Sequence, residues 1–133
     1  MGLALYTCVL AGCGAKDDLK QPEAEVDLFH KRWNNAYFTG VYNDAHVNFR
    51  TAQSSQLTIG QLQHNRKFYG TFKSATRRRV NINSADSEKD ITLDYESIYE
   101  HGTASEEFKF RMTNGKPLLM NYKMLPGSRD KTK

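Results

Sequence analysis

A chain of 133 residues, 26% of them charged and 38% hydrophobic, is long enough for one ordinary domain with a single buried core. Its formal net charge of +4 is a modest excess that suits polyanions such as lipid headgroups and is too small to single out nucleic acid. No apolar run is long enough to cross a bilayer, and the two cysteines, Cys8 and Cys13, make a poor zinc site.

The first stretch, Leu3 to Cys13, is uncharged and apolar and ends Leu10-Ala11-Gly12-Cys13. Its length and the small pair before cysteine suit a signal h-region and cleavage site. The plainer alternative is a buried N-terminal strand, which Leu3, Leu5, Val9 and Leu10 would fit, but the small pair before cysteine favours the signal. An aliphatic residue, two small residues and then cysteine resemble the lipobox of bacterial lipoprotein signal peptides. The resemblance implies that residues 1–12 are removed and that Cys13 becomes an acylated first residue, holding the protein on a membrane through acyl chains. It implies a bacterial envelope protein facing the periplasm, and Gly14 after the cysteine leans towards the outer membrane over the inner. Cys8 would leave with the signal, so the folded domain carries no disulfide and no catalytic thiol.

Residues 13–21 are polar and charged and read as a tether. The domain proper is expected over 22–125, with 126–133 as a basic tail. A first helix opens at Pro22, where a missing N–H is harmless, with Glu23 and Glu25 at its positive end. Val26, His30, Trp33 and Tyr37, flanked by Phe29 and Ala36, recur at helical spacing and form one apolar stripe. Gly40 ends this helix. A short second helix runs from Asn43 or Asp44 to about Arg50. A third starts at Thr58, with Thr58 and Gln61 as a capping box, and stops at Gly70.

After Gly70 the period changes to that of strands. Val80 and Ile82 alternate with polar residues, and Ser84 to Lys89 form a polar turn. Ile91, Leu93, Tyr95 and Tyr99 alternate with Thr92, Asp94, Glu96 and Glu100. Gly102 marks the next turn, and Phe108, Phe110 and Met112 follow. Asn114-Gly115 predicts a two-residue hairpin that sets Phe110 opposite Leu119 and Met112 opposite Pro117. Leu118, Met120, Tyr122 and Met124 have the other parity, so the last strand needs either a bulge or a sheet covered on both faces. The second option would imply a partner or a homodimer on the outer face.

Helices first, then consecutive antiparallel strands, predict an α+β domain: N-terminal helices packed on a curved four-stranded antiparallel sheet. In order and length the elements resemble the cystatin-like, or nuclear-transport-factor-2-like, cone, and more closely small envelope proteins of that superfamily. The residues that carry the likeness are Gly40-Val41-Tyr42, Phe68-Tyr69-Gly70, Tyr95, Glu107, and Asn114-Gly115 leading to Tyr122. Pro117 and Asn121 stand where such relatives carry a tryptophan and a glycine. The likeness implies architecture and a cone that could hold a ligand, and it says little about chemistry.

None of the four histidines, His30, His46, His64 and His101, pairs with another at a metal-ligand spacing, so no metal or cofactor site is expected. His30 lies in the apolar stripe and is either a core-edge histidine or a pocket residue; a pocket would be lined by His30, Trp33, Tyr37, Tyr95, Tyr99, Phe108 and Phe110. Asp94 and Glu96 oppose Tyr95 in parity and fall on the face away from the helices, which argues against an acid–base enzyme. Lys73, Arg77, Arg78 and Arg79 form the one dense basic cluster. Arg77 and Arg79 are expected on one strand face and Arg78 on the other, so the cluster is either an edge strand charged against aggregation or a contact for an anionic partner.

The expectation is a non-catalytic envelope module that binds a protein of the cell envelope or helps assemble a membrane complex, with no nucleic-acid partner. Two other readings stand beside it: an inhibitor or immunity lipoprotein against a toxin or lytic enzyme, and a small-molecule binder that uses the cone.

Overall fold

The computed structural model describes the backbone of residues 3–127 and the side chains of residues 19–127. The domain is α+β, with four helices, α1 (Leu3–Asn34), α2 (Phe38–Asn43), α3 (Val47–Ala52) and α4 (Ser55–Tyr69), followed by four strands. The strands β1 (Phe72–Ala85), β2 (Glu88–Tyr99), β3 (Gly102–Thr113) and β4 (Lys116–Pro126) form one antiparallel sheet in chain order. Val26, Phe29 and Trp33 of α1 meet Ile91, Leu93, Ala104 and Phe108 of the central strands in the core, and Phe38, Val41, Leu62 and Tyr69 close it from the other helices. Leu10-Ala11-Gly12-Cys13, the stretch that resembles a lipobox, belongs to α1, but its side chains lie outside the described residues, as do residues 128–133 of the expected basic tail.

The first helix does not open at Pro22. It runs through the stretch expected as a tether, with Pro22 inside it. The stripe extends one turn further than expected, because Leu19 packs against the core and Pro22 is buried beside it. Burying that ring on the core face offsets the lost N–H, a compensation that helix grammar does not register.

Nor does Gly40 end the helix, since it lies within α2. The stop is a Schellman motif: Ala36 N–H donates to the Trp33 carbonyl at 3.0 Å and Tyr37 N–H to the Arg32 carbonyl at 2.8 Å. Ala36 takes the left-handed conformation usually left to glycine, with φ 55°. Tyr37 is thereby carried out of the stripe, its ring lying 5.8 Å from the Arg32 guanidinium. Ala36→Gly is expected to raise the unfolding free energy by about 0.5–1 kcal/mol, since the left-handed strain outweighs the added chain entropy. Urea unfolding measures it, and a loss of stability would refute the strain argument.

The second and third helices also start elsewhere than expected. The stretch read as one short helix is split by Asp44 to His46, and the His46 ring caps α3 by accepting from Asn48 N–H at 3.0 Å. Ser54, not Thr58, caps α4, accepting from Leu57 N–H at 3.2 Å, while Thr58 is buried one turn inside. Gly70, with φ 81°, does stop α4.

The ends of α1 and α4 converge on the start of the sheet. Trp33 Nε1 donates to the Gly70 carbonyl at 2.9 Å, and Arg66 donates to the Trp33 and Asn34 carbonyls at 2.9 and 3.1 Å. Asn34 then accepts from Phe72 N–H at 2.7 Å and donates back to the Phe72 carbonyl at 3.3 Å. Arg66 thus gives the Trp33 carbonyl a second donor, satisfies that of Asn34 and places its charge at the negative helix end.

In the sheet, Asn114 and Gly115 both have positive φ, as a type I′ turn requires, and the register sets Phe110 opposite Leu119 and Met112 opposite Pro117. The parity conflict in β4 resolves as a bulge: Leu119 pairs with Phe110 and Asn121 with Lys109, leaving Met120 extra. Pro117 and Leu119 face the helices before it, and Tyr122 and Met124 after it. The conflict therefore asks for no partner on the outer face. That face carries charge pairs, led by Arg111, which grips Asp90 through two bonds of 2.7 and 2.9 Å and holds its carboxyl below the usual range.

Two corrections concern β1. The polar turn at Ser84 to Lys89 is only Asp86-Ser87, because pairing continues out to Ala85 opposite Glu88. Both strand ends are solvated, so no alternation betrays them. Arg77 and Arg79 do not share a face either. A bulge at Arg78 sets Arg77 opposite Tyr95 on the helix side, where it pairs with Glu23, and Arg79 opposite Asp94 on the outer side, 3.5 Å from its carboxylate. A second bulge leaves Lys73 extra. Two basic bulges on a strand paired along one side only fit an edge guarded against further pairing.

Candidate functional site

Two features could carry function: a buried polar cluster at the centre of the domain and a cavity beside it. The cluster is built around Glu106, which follows the inward parity of Ala104, Phe108 and Phe110 and is 1% exposed. Its Oε1 accepts from His30 Nε2 at 2.8 Å and from Ser97 Oγ at 2.6 Å. Its Oε2 accepts from the Tyr99 hydroxyl at 2.7 Å and from the Tyr122 hydroxyl. Four donors from α1, β2 and β4 thus fill an acceptor set of about four lone-pair sites.

The electrostatics follow from that geometry. Burial pushes the Glu106 carboxyl up, but the His30 hydrogen bond and charge, with the Ser97 and Tyr122 hydroxyls, bring it below the ordinary carboxyl range. The same burial, next to that carboxylate, pushes the Tyr99 and Tyr122 phenols well above their usual range. Tyr95, nearer the rim, is pushed up to about 12, by burial and by Glu23. The His30 ring is held from both sides, stacked on Phe72 at 3.6 Å and met edge-on by Phe29 and Phe108.

The residues expected to line a pocket therefore divide. His30, Trp33, Tyr99, Phe108 and Phe110 are brought together, but as filled core, with His30 and Tyr99 bonded to Glu106. Tyr95 packs edge-on against Phe108, and Tyr37 is 54% exposed, outside the group. The centre of the domain is closed, as the core reading of His30 has it and not the pocket reading, because Trp33, Phe108, Phe110 and the Glu106 cluster occupy it.

Open space adjoining the core lies to one side. A cavity of about 290 Å³ sits between α3, α4 and β4, walled by Phe29, Val41, Phe49, Leu62, Met120 and Met124. Its polar groups are Gln53, Thr58, Gln61, Asn65, Asn121 and Tyr122, so no charged side chain lines it. Gln53 donates to Thr58 Oγ1 at 3.0 Å and to Gln61 Oε1 at 3.2 Å, which fixes one side of the rim. The β4 bulge brings both Met120 and Asn121 to the lining, and the His46 N–H bond to the Leu119 carbonyl, 2.9 Å, holds α3 over that part of the strand. Tyr122 joins the two features, since it lines the cavity and its hydroxyl donates to Glu106.

No protein-family model matches the chain, and no curated protein matches it either.

Sequence reasoning missed Glu106 and Ser97 and marked the neighbour Glu107 instead, which faces out and lies 3.8 Å from Lys123. The signal was present: within Ala104-Ser105-Glu106-Glu107-Phe108, the inward parity puts a carboxylate between two core positions. Of the basic cluster, Arg77 and Arg79 are paired with carboxylates, so the four residues do not form one anion-binding patch.

Proposed function

We propose that this chain is a membrane-anchored, non-catalytic binding module of the bacterial envelope, held through an acylated Cys13, with the α3–α4–β4 cavity receiving an uncharged apolar group of a partner protein. The cavity carries the reading. Its walls are aromatic rings, aliphatic side chains and two methionines, whose unbranched chains adapt to varied shapes. Its amides can both donate and accept, which suits a neutral, hydrogen-bonding ligand.

Catalysis is disfavoured by where the titratable groups sit. Glu106 has its lone pairs occupied by native donors, and His30 is 4% exposed, so neither reaches the cavity without breaking the core. A small-molecule binder is the second reading, since about 290 Å³ lies at the low end of ligand pockets. The cystatin-like assignment and the periplasm-facing, outer-membrane location belong to the same proposal, on the strength of the element order and of Leu10-Ala11-Gly12-Cys13.

Ala52→Trp, on the exposed end of α3, puts a bulky ring at the cavity mouth without disturbing the core. A protein captured by the wild-type chain from detergent-solubilised envelopes should be lost from this variant while its melting curve is unchanged. Identical capture by both, or a wild-type protein that comes out alone and turns over a small molecule, sinks the reading. The anchor has its own readout: Cys13→Ser should remain an unprocessed precursor that takes up no labelled palmitate.

A further inference from the structure

We infer that the partner enters as an extended peptide segment, pairing with the free edge of β4 and placing an apolar side chain in the cavity; this rests on the binding reading above. β4 is paired along one side only, with β3. The Leu119 carbonyl points away from β3, because it accepts from His46 N–H. In an antiparallel ladder, backbone groups turn towards and away from the partner in alternation. The bulge adds its residue to β4 and none to β3, so the alternation can be followed along Phe110, Phe108 and Glu106. Their partners Leu119, Tyr122 and Met124 therefore all direct N–H and C=O to the open side.

At Leu119 that side is taken by α3. At Tyr122 and Met124 no backbone or side-chain partner meets these groups among the described residues. These two residues also line the cavity with their side chains. A strand laid beside them finds backbone partners at the positions whose side chains wall the pocket, and its own alternate side chains point to that face. The uncharged lining selects a neutral apolar side chain for the inward position, and the amides of Asn65 and Asn121, without a hydrogen-bond partner among the described residues, lie within the same lining for polar atoms next to it. A free lipid chain or a small apolar molecule could fill the volume but would leave the strand edge unused.

A displayed library of random ten-residue peptides, selected against the full chain in detergent micelles, tests this. The expected winners alternate polar and apolar residues, and N-methylation of an edge-pairing amide in the peptide should weaken binding about tenfold, the loss of one or two hydrogen bonds. Met124→Pro removes an N–H that faces away from β3, so the fold should stand, and binding should fall about tenfold below that of Met124→Ala. Failure to select any peptide overturns the inference. So do winners indifferent to N-methylation, which would leave the cavity reading in place if Ala52→Trp still blocked them.

Discussion

Glu106→Gln should lower the unfolding free energy by about 3–5 kcal/mol, a large effect for a change that keeps the side chain's shape. The carboxylate accepts from His30, Ser97, Tyr99 and Tyr122, whereas an amide offers one oxygen and turns two N–H groups towards hydroxyls that were donating. Urea unfolding with an unchanged slope should show the loss directly. Tyr122→Phe should be markedly less damaging in the Glu106→Gln background than in wild type, because its partner has already gone. Additive losses would mean that the cluster does not act as a unit.

The pH dependence has a definite sign. The Glu106 carboxyl is held below its ordinary value of 4.5 in the folded state, so its contribution is fully present above that pH and is lost as the pH falls through the lower folded value. Asp90, held down by Arg111, titrates in the same direction, so wild type alone cannot separate the two. The difference between wild type and Glu106→Gln isolates the Glu106 part and should shrink on acidification. A difference independent of pH would show that folding leaves the titration of this carboxyl unchanged, and one that grew on acidification would show that the folded protein holds it protonated.

Trp33→Ala is the second large effect, at about 3–5 kcal/mol. The indole is fully buried, contacts Phe29, Phe38 and Tyr99, and donates from Nε1 to the Gly70 carbonyl. Its removal opens a cavity where α1, α4 and β1 meet and leaves that carbonyl unpaired. Trp33→Phe keeps most of the ring contact and should cost about half as much or less. Circular dichroism melts read both variants, and a Trp33→Ala loss below about 1 kcal/mol would show that the joint repacks freely.

What the sequence discloses depends on how local the cause is. The Asn114-Gly115 turn fixes a register by itself, and the parity clash between Leu119 and Met120 narrows β4 to a bulge or a sheet covered on both faces, between which the structure chooses the bulge. The stop at Ala36 is hidden because an alanine has taken a conformation that the pattern assigns to glycine. Pro22 is hidden because its burial against the core outweighs its missing N–H. Arg78 shows how one extra residue reverses the face of everything before it. Glu106 is the largest omission for a different reason. A glutamate in an alternating strand looks solvated until its donors are known, and His30 lies 76 residues away in the chain. The cavity is equally non-local, since no single element builds it.

Because the sheet runs in chain order, each strand can zip onto its predecessor across a two-residue turn, but α1 has no such neighbour. Its aromatic stripe leaves the ribosome before any strand, and its partner Tyr122, on β4, follows only after the other three strands. At roughly 5–20 residues per second, that is a wait of several seconds with Phe29 and Trp33 uncovered. Nascent chains halted before β4 should therefore expose this face to whatever binds apolar surface, and a newly made domain should become protease-resistant only when its final strand has emerged.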